Sequence, residues 1–498
     1  MISQIKNTLS RLVSGKGQGD SSSNLVMSNK LVSAYRKSRI NQPHESICNA
    51  PFTNMYFGHE GRVSACCFNR THLMGSYPEM SISEIWNSSK ANELRELLKK
   101  DDLTSGCQSC EVLIQNKNFD GVVAKNYDIL PINKTYPTKL EFELSNTCNL
   151  ECIMCFGEFS SSIRKNREKK PAIPMVYDDA FIAQLEEFIP HLQSVRFFGG
   201  EPFLIDIYYQ IWDLIVSINP DCQIVVQTNA TVLNNRVKNL LDNGNFKINV
   251  SIDSIEEKTY EAIRINADFT RVKENIEFFH SYCEHKNTNL GISFCPIPMN
   301  IMELPEVIKF CNDRNAFVYF NTVWHPAEHC LANLNSAELR TIFQFLKPFE
   351  FTSSTDVERS NMHHYGDFVK QIQQWARLAE EREEYEETRR IKEEKQDREI
   401  SEMLERTDSA DLKEVFFQKI KRSVHEHIDK SENDRNQLVE DFLVKTDNVL
   451  KKFPEDLPFK KALYRLNTVS STETVVKALE TEGEDALYIR VNELYNQG

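Results

Sequence analysis

Three cysteines fall in the run Cys148-Asn149-Leu150-Glu151-Cys152-Ile153-Met154-Cys155. The spacing C-x₃-C-x₂-C supplies three thiolates, one short of the four that occupy every iron of a cubane. A [4Fe–4S] cluster held this way keeps one iron open to an exogenous ligand. Structural zinc is the alternative, although zinc prefers four ligands in paired C-x₂-C knuckles. The preceding stretch, Leu140-Glu141-Phe142-Glu143-Leu144, alternates apolar and acidic residues and predicts a strand. The cysteines therefore sit in the loop leaving a strand's carboxyl end, where parallel α/β folds place their chemistry.

Further along come Phe197-Phe198-Gly199-Gly200-Glu201-Pro202, Gln227-Thr228-Asn229, Val250-Ser251-Ile252-Asp253 and Tyr260-Glu261-Ala262-Ile263-Arg264. Adjacent glycines permit a backbone path closed to other residues and a close approach of ligand to main chain. Thr228, Asn229, Ser251 and Asp253 offer hydrogen bonds suited to a ribose or carboxylate, or ordinary loop and capping bonds. With the cysteine run, these segments resemble, in order, the core of the radical S-adenosylmethionine (SAM) enzymes, over roughly residues 138–325. One departure is Met154, where that family usually carries an aromatic residue; a polarizable thioether can still cover an adenine face. The resemblance implies that Cys148, Cys152 and Cys155 hold a [4Fe–4S] cluster. It also implies that Gly199, Gly200, Glu201, Thr228, Asn229, Ser251, Asp253 and Arg264 contact SAM. Gly200→Val is expected to weaken SAM binding while sparing the cluster, because the cysteines lie on a different loop.

A second cysteine set precedes the first. Cys48-Asn49-Ala50-Pro51-Phe52 leads to Gly61-Arg62-Val63-Ser64-Ala65-Cys66-Cys67, then Ile85-Trp86-Asn87-Ser88, Leu94-Arg95 and Cys107-Gln108-Ser109-Cys110. This segment resembles the auxiliary-cluster modules called SPASM and twitch domains, though these usually follow the catalytic core. The resemblance implies one auxiliary [4Fe–4S] cluster on Cys48, Cys107, Cys110 and either Cys66 or Cys67, with the G-x₄-C step favouring Cys66. A zinc ribbon is the alternative, since four cysteines closing in C-x₂-C suit structural zinc.

Apolar strand patterns near 138–144, 194–198, 222–227, 246–252, 289–295 and 316–323 alternate with helical patterns near 178–189, 204–217, 234–242, 268–285 and 303–314. Such alternation predicts a parallel sheet with right-handed crossovers. Six units fall short of a closed eight-fold barrel. The expected fold is α/β: a partial (β/α)6 TIM-like barrel at 136–350, with a small auxiliary-cluster module at 46–115 and a helical region at 412–498. The rest reads as an N-terminal tail or short helix (1–45), a linker (116–135) and a charged linker with a long solvated helix (351–411). Within the tail, Met1 to Gly19 carries a short amphipathic pattern without a signal peptide's apolar core.

The chain's 498 residues, 40% hydrophobic, exceed what one core normally serves. A net charge of −14 argues against general nucleic-acid binding. No stretch reaches the ~20 apolar residues of a membrane span, and 13 cysteines read as metal ligands and core thiols of a cytoplasmic protein. Cys222, Cys283, Cys295 and Cys311 read as small hydrophobes. His325, Glu328, His329 and Cys330 follow the sixth strand and could meet substrate or metal, or form a plain loop.

The resemblance implies reductive cleavage of SAM and hydrogen abstraction from a substrate, with a flavodoxin or ferredoxin as electron donor. Relatives with auxiliary modules often modify peptides or proteins, which is the first expectation here. Oxidation or rearrangement of a sugar or small molecule is the alternative. A non-catalytic iron–sulfur electron carrier and an RNA-modifying enzyme are further readings. The first has no need of a SAM pocket, and the second lacks an evident basic face.

Overall fold

The computed structural model describes residues 27–41, 43–133, 135–428, 431–468 and 472–497; the amphipathic pattern within 1–19 lies outside them. The chain divides into two compact units at Glu381 and Arg382.

The first unit is built on one nine-stranded sheet in the order β3-β2-β1-β4-β5-β6-β7-β8-β9. Its strands are β1 (Asn54–Phe57), β2 (Arg62–Ser64), β3 (Gly75–Ser76), β4 (Lys139–Phe142), β5 (Ser194–Phe197), β6 (Gln223–Thr228), β7 (Phe246–Ser251), β8 (Gly291–Phe294) and β9 (Phe317–Phe320). β4 to β9 run parallel. Successive crossovers carry the helices Asp179–Phe188, Asp206–Ile218, Asn235–Asn243, Phe269–His285 and Leu304–Asp313. This is the partial (β/α)6 barrel, with its strands and helices close to where the apolar periodicity predicts them.

The sheet's two faces differ chemically. Leu140, Phe142, Val195, Phe197, Ile224, Val226, Ile248 and Ile292 are buried. Alternate positions on the same strands carry Glu141, Arg196, Gln227, Asn249 and Ser293. Parallel strands packed on both faces usually read as continuous apolar runs. Here the period of two leaves a polar inner face, which lines a site instead of a second core layer.

The auxiliary segment is continuous with this sheet. β1 pairs parallel with β4, setting Tyr56 against Glu141, and β2 pairs antiparallel with β1. A single hydrophobic cluster runs from Ile47, Met55 and Val63 through Phe142 to Ile308. Buried Glu141 joins the parts. It accepts from Asn54 Nδ2 (3.0 Å), Tyr127 Oη (2.9 Å) and Lys139 Nζ (2.9 Å). Burial alone would raise its pKa; the Lys139 and Arg196 charges and these bonds hold it below the usual carboxylate value.

The described residues of two segments, read as a tail or short helix and as a linker, are packed parts of this unit. Residues Asn29–Ser38 form helix α1, capped by Ser28, whose Oγ accepts from Leu31 N at 3.3 Å. Val32 and Tyr35 are its buried residues. In the supposed linker, Ala124, Tyr127 and Asp128 are buried. Arg39, just past α1, meets Asp128 through two bonds, Nε–Oδ2 (3.0 Å) and Nη2–Oδ1 (2.6 Å). Neither side chain is exposed. The boundary at 350 also moves outward. In helix α2 (Asp356–Glu405), Tyr365, Phe368, Ile372 and Ala379 enter the same core before the helix becomes charged and exposed.

The second unit is helical. Ser409–His427, Glu432–Leu450, Leu457–Thr468, Thr472–Thr481 and Glu484–Asn496 enclose a core of Phe416, Ile420, Phe442, Phe459, Leu463 and Val491.

Breaking a buried ion pair by removing one partner leaves the other charge unpaired. Asp128→Ala is expected to cost about 3–5 kcal/mol of stability for that reason. The check is a lower calorimetric melting temperature, whereas a surface exchange such as Glu386→Ala leaves the transition in place.

Candidate functional site

Cys148, Cys152 and Cys155 lie on the loop after β4, all half-buried. Side chains and neighbouring backbone hold this loop. Cys148 N donates to Ser161 Oγ (3.1 Å), Ser162 Oγ donates to Cys148 O (2.8 Å), and Ser160 Oγ donates to Leu150 O (2.7 Å). Glu151 N and Ile153 N donate to the carbonyls of Ile265 and Ile263, at 3.0 and 2.9 Å, which brackets Arg264 against the cysteines. Burial pushes the Cys148 thiol up to about 11 and Cys155 up to about 12, and raises Cys152. The Arg264 guanidinium works against that rise at all three. Three thiols beside one buried cation suit a metal cluster bound through thiolates, whose negative charge the Arg264 guanidinium offsets.

The turn after β5 is locked to this loop. Gly199 and Gly200 have φ of +85° and +49°, and Glu201 N donates to Thr147 O at 2.8 Å. A Cβ on Gly200 would lie 2.1 Å from Thr147 O, a backbone atom next to Cys148. This corrects the expectation that the glycines and the cysteines are independent. The second glycine is required first by contact between two loops of the protein.

Glu201, Thr228 and Asp253, read from sequence as SAM contacts, are sealed and spend their polar atoms within the chain. Glu201 Oε1 accepts from Phe203 N (3.1 Å) and Thr228 Oγ1 (2.8 Å), while Oε2 accepts from Asn229 N (2.6 Å). Burial pushes its pKa up to about 7, against the lowering effect of these donors. Asp253 Oδ1 accepts from Cys295 N (2.8 Å), and Oδ2 lies 2.7 Å from Arg264 Nη2. These residues fix strand ends. Asn229 instead turns its amide to Asn149 Oδ1 (3.2 Å) and, more distantly, Cys148 Sγ (3.9 Å). Ser251 lies on the inner face, accepting from Gln227 Nε2 (2.8 Å), whose Oε1 accepts from Ser293 Oγ (3.2 Å).

Met154 and Ile153 pack with Cys295 against Ile263, Ile297 and Val323. The thiol of Cys295 has Asp253, Arg264, Cys152 and Cys155 among its charged neighbours. It was read as a core residue; its place at the carboxyl end of the 289–295 strand pattern, just past β8, is the signal that puts it at the site. By contrast, Glu328 and His329 share one 3₁₀ turn, and Cys330 is buried in the core.

Cys48, Cys66, Cys107 and Cys110 line one cavity with Tyr35, Leu103 and Tyr127. Backbone and amide donors reach the sulfurs: Ala50 N to Cys48 Sγ (3.4 Å) and Asn69 Nδ2 to Cys107 Sγ (3.4 Å). The backbone of Val123 and Ala124 near Cys110, and of Phe68 and Asn69 near Cys66, works against the rise that burial imposes on these thiols. Burial pushes Cys66 up to about 12 and raises the others. Four converging thiols with N–H donors fit a fully ligated metal centre. Cys67 is absent from this lining and has Glu141, Arg196 and Arg70 as charged neighbours. The geometry thus favours Cys66 within the adjacent pair.

Arg70, three residues after Cys67, reaches Glu143 just past the end of β4. Its Nη2 lies 2.6 Å from Glu143 Oε2, which also accepts from Tyr56 Oη, and its guanidinium stands 5.4 and 5.2 Å from the Tyr56 and Phe159 ring centres.

Residues 142–311 match the model of the Radical SAM superfamily, and residues 48–111 match an iron–sulfur cluster-binding domain, SPASM. The chain carries both domains, the second placed before the first. A probable GTP 3',8-cyclase of Methanocaldococcus jannaschii is 27% identical over 181 residues, 36% of this chain and 56% of that protein. The GTP 3',8-cyclase of Aliarcobacter butzleri is 26% identical over 211 residues, 41% of this chain and 61% of that protein. The chain thus spans somewhat over half the length of these curated relatives. Among solved structures, Streptococcus suis SuiB bound to S-adenosylmethionine aligns with TM-score 0.32 and 17% identity, over 53% of this chain and 59% of that one. AnSMEcpe with bound AdoMet aligns with TM-score 0.33 and 17% identity, over 47% and 62%.

Two outcomes follow from the loop contact and the cavity lining. Gly200→Val is expected to lose iron from the three-cysteine site, about half of the reconstituted total for two four-iron clusters; full iron content with weakened SAM binding would restore the independent-loop reading. Cys66→Ala is expected to lose the auxiliary iron while Cys67→Ala keeps it, as read by iron analysis of each protein.

Proposed function

We propose that this chain, which carries Radical SAM and SPASM domains, uses [4Fe–4S] clusters and S-adenosylmethionine to remove a hydrogen atom from a carbon of a peptide or protein substrate. The observation that carries this reading is the joining of the four-cysteine cavity and the three-cysteine loop through one sheet and one hydrophobic core. Bound at the three-cysteine loop, the cluster and SAM supply one-electron cleavage of a carbon–sulfur bond and a carbon radical strong enough to attack an unactivated C–H bond.

The chain's own residues bind and orient. Cys148, Cys152 and Cys155 hold the first cluster, with the Arg264 charge favouring their thiolate forms. Main chain at Gly199–Gly200 and the side chains of Asn229 and Ser251 face the SAM pocket. Glu201, Thr228 and Asp253 keep that pocket's walls in place, and Met154, Ile153 and Ile297 provide an apolar surface for an adenine. The inner-face groups of Gln227, Asn249, Ser251 and Ser293 offer alternating donors and acceptors, suited to a peptide backbone. Cys48, Cys66, Cys107 and Cys110 would hold the auxiliary cluster, which would supply one-electron redox chemistry. A ferredoxin or flavodoxin is the electron donor. The cytoplasm is the compartment that fits thirteen free cysteines. Among the described residues no helix is long and apolar enough to cross a membrane.

A second reading comes from the curated relatives, whose names specify action on GTP. It makes the substrate a nucleotide or other small molecule. The matches cover 36% and 41% of this chain, so this reading rests on part of its length.

Replacing Cys148, Cys152 and Cys155 together by Ala is expected to abolish reductive SAM cleavage. Replacing Cys107 and Cys110 is expected to leave SAM cleavage without substrate turnover. Mass spectrometry of 5′-deoxyadenosine and of candidate peptides and nucleotides reads both. Full product from the second variant sinks the auxiliary role, and a modified nucleotide with unmodified peptides selects the second reading.

A further inference from the structure

The wall of the four-cysteine cavity includes a residue outside the matched iron–sulfur domain. Tyr35 comes from α1 and is fully buried. Its hydroxyl is sealed from solvent and has no hydrogen-bond partner. It lines the cavity with Cys48, Cys66, Cys107 and Cys110. Burying a hydroxyl without a partner is costly, and native chains seldom leave such a group unpaired. A phenylalanine would fill the same space without that cost. The other phenol on this wall, Tyr127, donates to Glu141 at 2.9 Å. Arg39 stands 5.8 Å from the Tyr35 ring centre and bonds to Asp128 and the Ser46 carbonyl.

We propose that Tyr35 donates a hydrogen bond to a sulfide of the auxiliary cluster and raises its reduction potential. This rests on the auxiliary-cluster reading of the cavity. A phenol has one O–H to give, and sulfur atoms carrying negative charge are the acceptors that the cluster provides. Cys48 and Cys110 are among the groups whose charge acts on the Tyr35 hydroxyl. Adding an electron increases the negative charge on the sulfurs, so a hydrogen bond to them stabilises the reduced state more than the oxidised one. Ala50 N and Asn69 Nδ2 already donate to Cys48 and Cys107. Tyr35 adds a donor from the α1 side, supplied by a helix whose position the Arg39–Asp128 pair secures. Tyr35 is thus a positioning and tuning residue of the auxiliary centre.

The test compares Tyr35 with Tyr35→Phe in full-length protein carrying Cys148→Ala, Cys152→Ala and Cys155→Ala, so that one cluster gives the signal. Electron paramagnetic resonance during a redox titration reads the midpoint. The expected result is a lower potential in Tyr35→Phe, near a tenfold change in the reduction equilibrium, which is about 59 mV for a one-electron couple. Resonance Raman provides a second readout: the Fe–S stretching bands shift in D₂O, and that shift shrinks in the variant. About four irons per chain with both readouts unchanged overturns the Tyr35 proposal alone. Zinc in place of iron in the Tyr35 protein overturns the cluster reading and this proposal with it.

Discussion

Glu201 is a carboxylate with no solvent exposure, and three strand ends meet on it. Its oxygens gather Phe203 N, Thr228 Oγ1 and Asn229 N, while its own N–H reaches Thr147 O beside the first cluster cysteine. The ends of β4, β5 and β6 thereby become one rigid rim. Burying a carboxylate is costly unless its lone pairs are filled, and here the filling groups are the ones that must be held still. Gly199 and Gly200 belong to the same arrangement, since the two turns touch through backbone and leave no room for a side chain. Arg264 plays the matching part across the loop, with Asp253 on one side and the thiols on the other.

Much of the barrel could be read from the chain because its determinants are local. Alternation at 139–144 and apolar runs near 194–198 and 222–227 mark strands, and the turns after them carry glycine, asparagine or aspartate. The cysteine runs are legible for the same reason: thiol spacing within eight residues constrains a metal site whatever surrounds it. Where a residue's role depends on partners remote in sequence, the chain alone misleads. Thr228, Glu201 and Asp253 have the right chemistry to hold a ligand, and nothing in one dimension shows that they satisfy one another. Arg39 and Asp128 are 89 positions apart, so the segments they join look like tail and linker. Cys66 and Cys67 are neighbours that face different surroundings, a distinction made by the fold of the β2 loop.

The auxiliary segment is the larger surprise of architecture. A module read as separate contributes three strands to the barrel's own sheet, and Glu141 is satisfied from β1, β4 and the packed segment before β4. This continuity places Arg70 and Tyr56 at the barrel mouth, against Glu143. A change in the cysteine cavity therefore has a short covalent and hydrogen-bonded route to the inner face of the sheet. Coupling of that kind depends on contiguous packing, which the shared core supplies.

The pairing of β1 with β4 also bears on solubility. Without the hairpin, β4 would be a bare edge of unpaired amide and carbonyl groups, open to pairing with another chain. The hairpin passes that edge outward to β3, a strand of two residues, Gly75 and Ser76, too short to template a neighbour. β1 is held on β4 by its backbone ladder, by the Asn54–Glu141 bond and by the shared core, so the cover over this edge is part of the fold itself.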